Sequence, residues 1–254
     1  MKAYVINLEK DTDRRNAMER ELAGTPFADA EFVKSIDGRL MSETELKEAF
    51  DYEKFATRHI GRPQPGEVGC ALSHRTVWQK IANEDSPAVV FEDDVTFEGS
   101  WDDILSFALP WLDSERPRTL LMPRHFFYAR LKRAAGDGKV ARPIQGFGAE
   151  CYMMNAVAAR LLVALGRPYF IADEWDYFRS CGLDLLAFIP HPVNINTRFD
   201  SNIVSRQLWC YDYDGAVQAV TNTPVLFDSI KIAFRAFLRD LHIFGQYIKA
   251  PLNK

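Results

Sequence analysis

Eight residues constrain this chain more than any other stretch: Ala88-Val89-Val90-Phe91-Glu92-Asp93-Asp94-Val95. Pro87 to Phe91 is apolar and β-prone, and three carboxylates follow without a gap. A short apolar run that leaves a turn (Asn83-Glu84-Asp85-Ser86-Pro87) reads as a buried strand of a parallel sheet. Acids at the carboxyl end of such a strand stand where open α/β sheets hold their ligands. Side chains alternate along extended chain, so Glu92 and Asp94 are expected on one face and Asp93 on the other. Two carboxylates on one face repel, and a divalent cation is the usual compensation. The plainer reading is a solvated acidic turn. The apolar strand leading straight into the acids favours a site.

The rest of the chain supplies further α/β units. Lys2 to Leu8 reads as a strand, Glu9 to Asp13 as a polar turn, and Arg14 to Leu22 as a helix capped by Asp11 or Thr12 and stopped at Gly24. Arg14 and Arg15 fall in that helix's first turn, where the dipole disfavours cations. A phosphate held there would remove the conflict, and two solvated arginines are the alternative. Glu31 to Ile36 reads as a second strand. Ser42-Glu43-Thr44-Glu45 is a capping box for a helix to Phe50. Glu67 to Ile81 reads as a buried amphipathic helix carrying Ser73 and His74 midway. A lone histidine on such a helix is more often a satisfied core residue than a catalyst.

Downstream, Ser100 caps a helix that Pro110 is expected to close at Leu109. Arg118 to Met122 reads as a strand. Residues 124–143 are basic and aromatic, a hairpin or a mobile flap. Gln145 to Met154 reads as one glycine-led strand, and Asn155 caps a helix to Leu165. A second acidic cluster, Asp173-Glu174-Trp175-Asp176, opens a helix in which Asp173 is expected as the N-cap. Leu183 to Ile189 reads as a strand, and a polar, turn-rich segment follows. From Val225 to Ile248, aromatic and aliphatic residues recur every three or four positions, with Lys231, Arg235, Arg239 and Lys249 on other faces. This basic amphipathic pattern fits a docked terminal helix or a membrane-surface anchor.

Composition sets the remaining limits. The chain has 254 residues, 47% of them hydrophobic, with a net charge of −4. That gives no general case for nucleic-acid binding. Cys70, Cys151, Cys181 and Cys210 form no CxxC pair, and reduced, packing cysteines in a cytosolic protein are expected. The N-terminal apolar run is too short for a signal peptide.

Several ordered motifs together resemble the family 25 glycosyltransferases, the bacterial lipooligosaccharide galactosyltransferase group. They are Val5-Ile6-Asn7-Leu8 with Asp13-Arg14-Arg15, Ser35-Ile36-Asp37-Gly38, Gly66-Glu67-Val68-Gly69-Cys70 with Ser73-His74, and Phe91-Glu92-Asp93-Asp94-Val95. Gly146 to Tyr152 and Asp176 are weaker matches. The resemblance implies a GT-A type fold, that is, a nucleotide-binding mixed sheet flanked by helices. It also implies a UDP-sugar donor, a glycan or glycolipid acceptor and inverting transfer. The catalytic domain is placed at 1–205, and 206–254 is a helical tail, docked or membrane-associating. On the same resemblance Asn7, Leu8 and Arg14 lie near the nucleotide, with Asp37 toward the uridine or ribose. Ser73, His74 and Asp93 join that donor-binding set. Glu92-Asp93-Asp94 matches the DxD-like element, with Asp94 and then Glu92 as ligands to Mn²⁺ or Mg²⁺ and His191 as a further one. The family's acidic Ser-Asp-Ile ending appears as Ser201-Asn202-Ile203.

Charge supplies a mechanism. A departing UDP needs cations, and the acceptor hydroxyl needs a carboxylate base, for which Asp176 or Glu174 is the candidate. Another metal-dependent phosphotransfer enzyme and a non-catalytic nucleotide-binding or membrane-assembly protein are the rivals. A cytoplasmic location follows, peripheral on the inner membrane face if the tail is an anchor.

Overall fold

The computed structural model describes residues 1–59, 61–123, 126–129, 133–135, 138–189, 191–199 and 244–247. In chain order the elements are β1 (Lys2–Asn7), α1 (Thr12–Leu22), β2 (Glu31–Lys34), a 3₁₀ turn (Gly38–Leu40), α2 (Glu43–Ala49), α3 (Tyr52–Ala56), α4 (Pro65–Glu84), β3 (Ala88–Glu92), β4 (Val95–Phe97), α5 (Trp101–Leu112) and β5 (Arg118–Leu121). They continue with β6 (Phe126–Ala129), β7 (Arg133–Ala135), β8 (Gly138–Ala141), β9 (Pro143–Gly146), β10 (Cys151–Met154), α6 (Ala156–Ala164), α7 (Trp175–Ser180), β11 (Asp184–Ile189), β12 (Val193–Ile195) and β13 (Phe244–Tyr247).

The main sheet runs β2-β1-β3-β10-β5-β11-β8-β7. β1 is parallel to β2 and β3, and β11 is parallel to β5. β10 is inserted antiparallel between β3 and β5, and β8 closes antiparallel on β11. This is a mixed, mostly parallel α/β sheet. Its strands are apolar on both sides because helices cover both faces. Alternation makes the division visible in the buried clusters. Tyr4, Ile6, Val90, Tyr152 and Met154 pack with α4 and α6 through Trp78, Ile81 and Leu162. Ala3, Val5, Phe91, Cys151 and Met153 pack with α1 and α5 through Met18, Leu22, Trp101 and Ile104.

Several local expectations meet a different outcome. α5 continues through Pro110 to Leu112 rather than stopping at Leu109. The proline removes a donor, but Leu112 is buried and Trp111 packs against the same cluster, so tertiary packing carries the last turn. The single strand expected over 145–154 is two, β9 and β10. β12, missed in the turn-rich segment, pairs with the short β4. Within 124–143, β7 and β8 form an antiparallel hairpin. Arg124, His125, Arg130 and Lys132 lie outside the described residues, as do Ser201-Asn202-Ile203 and the 205/206 boundary. Most of the expected tail helix is also outside them. Phe244–Tyr247, expected to be helical, is a strand paired with β6. Gly245 is a poor helix former and its aromatic flanks favour extended chain. No helix among the described residues is long and apolar enough to cross a membrane.

Two glycines fix the turn after β2 against α4. A Cβ on Gly69 would stand 2.3 Å from the Ile36 carbonyl oxygen, and one on Gly38 would stand 1.8 Å from the Pro65 oxygen. Both obstacles are backbone, so neither can swing aside. Gly69→Ala should therefore destabilise the fold by about 1–3 kcal/mol through overpacking. Denaturant unfolding of Gly69→Ala beside the wild type checks this; an unchanged midpoint would refute the close approach.

Candidate functional site

A cleft opens at the carboxyl ends of β1, β2 and β3 and is lined by Leu8, Arg14, Asp37, Cys70, His74, Glu92, Asp93 and Asp94, among others. The position follows from the fold, since parallel strands deliver their carboxyl ends to one edge, where loops diverge. The chain leaves β3 at Glu92 and turns through Asp93 and Asp94 into β4. Strict alternation therefore stops at Glu92. All three acids line the cleft, whereas alternation placed Asp93 on the opposite side.

Asp93 is the structural member of the three. Asn7 donates to its Oδ2 at 2.7 Å, and Arg14 Nη1 donates to its Oδ1 at 2.6 Å. Arg14 also reaches Asp94 Oδ2 at 3.3 Å. Arg14, Asn7 and Asp93 are all buried. The conflict between Arg14 and its helix dipole is thus settled by the carboxylates of Asp93 and Asp94, in the turn after β3. Arg15 points elsewhere, onto the Phe32 ring at 4.2 Å.

Charge at this edge is unbalanced. Burial pushes Asp93 up, although Asn7 and Arg14 pull the other way. Burial, and then the neighbouring Glu92, push Asp94 up to about 7. Its Oδ1 is buried with no hydrogen-bond partner among the described residues. Asp37 behaves oppositely. Arg39 holds its carboxyl far below the usual range, aided by Lys10 at 2.7 Å.

His74 sits on the floor of the cleft. Its Nδ1 lies 2.9 Å from the Tyr152 hydroxyl, which accepts the Trp78 indole N–H at 2.8 Å, and its Nε2 lies 3.1 Å from Glu92 Oε1. Ser73, one residue earlier, faces the strand side. Its Oγ accepts the Ile36 N–H at 2.8 Å, contacts Ser35 Oγ at 3.0 Å and donates to the Gly69 oxygen at 2.7 Å. It clips β2 to α4 and does not line the cleft.

The second acidic cluster divides. Glu174, not Asp173, occupies the N-cap position of α7. Glu174 pairs with Arg58 and His59 and accepts the Ile171 N–H, and its carboxyl is held low against burial by those partners. Asp176 pairs with Arg179 at 2.8 Å. Neither lines the cleft. Asp173 accepts the Gly148 N–H at 3.1 Å, and burial, with Glu150 adding to it, pushes it up to about 6. Burial, and then the charges of Glu92 and Asp173, raise the Cys70 thiol. Glu150 stands beside β3, where its carbonyl accepts the Glu92 N–H at 2.8 Å. The sequence reading missed both as site residues. Asp173 belongs to the acidic cluster from which the sequence reading chose Asp176 or Glu174. For Glu150, only the pairing of β10 with β3 reveals it.

His191 is not brought to the acids. The register Val193↔Phe97 to Ile195↔Val95 sets Asp94 beside the far end of β12, where Asn196 N–H donates to the Asp94 carbonyl at 2.6 Å. His191 lies beyond the opposite end.

A family model described as Glycosyltransferase family 25 (LPS biosynthesis protein) matches residues 1–174. A protein of Acanthamoeba polyphaga mimivirus named as a glycosyltransferase is 34% identical over 124 residues, covering 48% of this chain and 37% of that protein. Procollagen galactosyltransferase 2 of Mus musculus is 34% identical over 100 residues, covering 37% of this chain and 16% of the mouse protein. A Bos taurus protein whose name includes "inactive glycosyltransferase 25 family member 3" is 30% identical over 122 residues, covering 44% and 20%. The chain thus spans well under half the length of these relatives.

The raised Asp94 carboxyl has a consequence for stability. A group whose folded value lies above its unfolded one keeps its proton longer in the folded state, so stability falls as pH rises from about 4 to about 7. Asp94→Asn should remove that slope and stabilise the protein by about 1–3 kcal/mol above pH 7. Unfolding midpoints of Asp94→Asn and wild type across pH 4 to 8 decide it, and parallel curves would contradict the assignment.

Proposed function

The chain belongs to glycosyltransferase family 25, and from that membership we propose that it moves a sugar from a UDP-sugar to a hydroxyl of a lipooligosaccharide or other glycan, with inversion at the anomeric carbon. Galactose is the donor sugar we favour, in keeping with the mouse relative's name. The mixed sheet covered on both faces supports a GT-A type arrangement. One observation carries the reading: Arg14, Glu92, Asp93 and Asp94 meet at the strand ends in a cleft that Leu8 and Asp37 also line.

The donor set suits a hard divalent ion. Asp94 Oδ1 is a buried carboxylate oxygen without a hydrogen-bond partner among the described residues, and Glu92 faces the same cleft. Such oxygen ligands fit Mg²⁺ or Mn²⁺, which when bound would offset diphosphate charge. His191 is left out of this set because of its position. Arg14 supplies a fixed cation near the leaving diphosphate. Asp37, kept ionised by Arg39 and Lys10, offers a carboxylate to ribose hydroxyls. Leu8 and Ile36 provide an apolar flank for the base, and Asn7 and Ser73 act beneath the surface by holding Asp93 and the turn after β2.

The acceptor oxygen forms its bond to the anomeric carbon as the bond to the diphosphate oxygen breaks, and its proton passes to a carboxylate. We assign that base to Asp173 rather than to Asp176 or Glu174, whose carboxylates are tied to guanidinium groups. A carboxyl near 6 is well matched to taking a proton at neutral pH. A peripheral membrane position through residues 225–243 remains part of the proposal, with loss of co-sedimentation with anionic vesicles on deleting them as its check.

Calorimetry with UDP should show binding that strengthens when Mn²⁺ is added. Asp173→Asn should lower transfer about 10²–10⁴-fold while leaving UDP affinity unchanged. Asp176→Asn should change transfer far less. A larger loss in Asp176→Asn would move the base back to Asp176, and absence of UDP binding would remove the transferase reading altogether.

A further inference from the structure

Beside the oxygen-rich acids, the floor of the cleft gathers three donors of different kinds. Cys70 and His74 are four residues apart on α4, so they project from one face of the helix. Glu92 ends the strand that this face covers. One donor atom from each, sulfur, imidazole nitrogen and carboxylate oxygen, all lie within 4.8 Å of one another. We propose that Cys70, His74 and Glu92 form a binding site for a soft divalent cation of the Zn²⁺ class, which shares Glu92 with the oxygen pair that this residue makes with Asp94.

Ligand chemistry selects the ion. Thiolate and imidazole favour Zn²⁺ over Mg²⁺, Ca²⁺ or Mn²⁺, which prefer all-oxygen surroundings. Three protein ligands leave a fourth position open, and all three residues line the cleft. The surroundings favour a cation. Burial first, and then the charges of Glu92, Asp173, Glu67 and Asp94, hold the Cys70 thiol up; a cation among these acids offsets their charge, since the nearby Arg14 is committed to Asp93 and Asp94.

The second layer is built for a ligating histidine. Trp78 can only donate, so the Tyr152 oxygen accepts its N–H and the Tyr152 hydroxyl proton is available to His74 Nδ1. That places the imidazole proton on Nε2, toward Glu92. On binding, the cation takes the place of this proton. The imidazole proton moves to Nδ1, where the second lone pair of the Tyr152 oxygen accepts it, and Cys70 releases its thiol proton to solvent. Tyr152 therefore serves His74 in both states, as the partner of a metal-bound imidazole does elsewhere. Its own proton is left without an acceptor among the described residues in the bound state. That penalty makes the site a reversible one, not a structural zinc. Because Glu92 belongs to both donor sets, a soft ion here takes Glu92 from a hard ion on Asp94, and its sulfur and nitrogen ligands hold it against Mg²⁺. This last consequence rests on the transferase reading; the binding itself does not.

The experiment titrates Co²⁺, as a coloured stand-in for Zn²⁺, into the purified metal-free chain, with no sugar nucleotide present. One equivalent should bind and give a sulfur-to-cobalt charge-transfer band, displaced by Zn²⁺ but not by excess Mg²⁺. Cys70→Ser should lose the band; the position is only half-buried, so the fold should tolerate it. Glu92→Gln should keep the band with weaker binding, and Tyr152→Phe should lower cobalt affinity about 10–100-fold. No sulfur band in the wild type, a band that survives Cys70→Ser, displacement by Mg²⁺, or unchanged affinity in both Glu92→Gln and Tyr152→Phe would each overturn the proposal. Since no transfer is measured, failure of the transferase reading would leave this result standing.

Discussion

The site edge of the fold depends on one buried ion pair, Arg14 with Asp93, completed by Asn7. Burying two such charges carries a desolvation penalty of several kcal/mol, recovered only where geometry is good and the remaining lone pairs are used. Here Asp93 receives Asn7 on one oxygen and Arg14 on the other, both at short distance. The three residues come from the end of β1, the first turn of α1 and the turn after β3. Their contact therefore decides where the first helix starts and where Glu92 and Asp94 stand. Removing one partner of such a pair is far more damaging than replacing both, because an uncompensated charge stays behind. It is a device for position more than for net stability.

A second constraint is steric. Gly38 and Gly69 come from motifs thirty positions apart, and each motif looks like a local signature in the sequence. In the structure the two glycines face each other across a backbone contact too close for any Cβ. Ser73 reinforces the contact one turn further along α4 by accepting the Ile36 N–H. Asp37 and Cys70, the neighbours of the two glycines, consequently line one cleft. The tight approach puts functional groups on adjacent positions without spending side-chain volume between them.

What could be read from the sequence follows the range of the interactions involved. β1, α1, β3, β5, α6 and the Ser42 capping box rest on local pattern and cap chemistry, and they were legible. Arg14 was legible as an anomaly, a cation at the wrong end of a helix, but its partner was not, because the pairing with Asp93 spans the sheet order. Glu150 was invisible for the same reason. It stands beside Glu92 because β10 enters between β3 and β5 against their direction, and nothing local in Cys151–Met154 announces an antiparallel insertion. Pro110 shows the converse. A strong local stop signal was overruled by the burial of Leu112. His191 was drawn toward the acids by residue type alone, and a strand register places it elsewhere.

The division of labour among the carboxylates explains why the cleft can serve a negatively charged ligand at all. An edge carrying Glu92, Asp93, Asp94, Glu150 and Asp173 repels a diphosphate unless cations intervene. Arg14 is largely consumed by Asp93, and Arg39 with Lys10 by Asp37. The protein's own cations thus position acids more than they attract anions. What remains is a carboxylate, Asp94, whose charge the fold itself disfavours and whose inner oxygen has no donor among the described residues. A group kept in that condition gains more from an added cation than a solvated acid would, since the ion relieves both the unmet hydrogen-bonding capacity and the repulsion from Glu92. On the proposed reading, the surplus of acid favours a cation first, and that cation would offset the charge of the diphosphate.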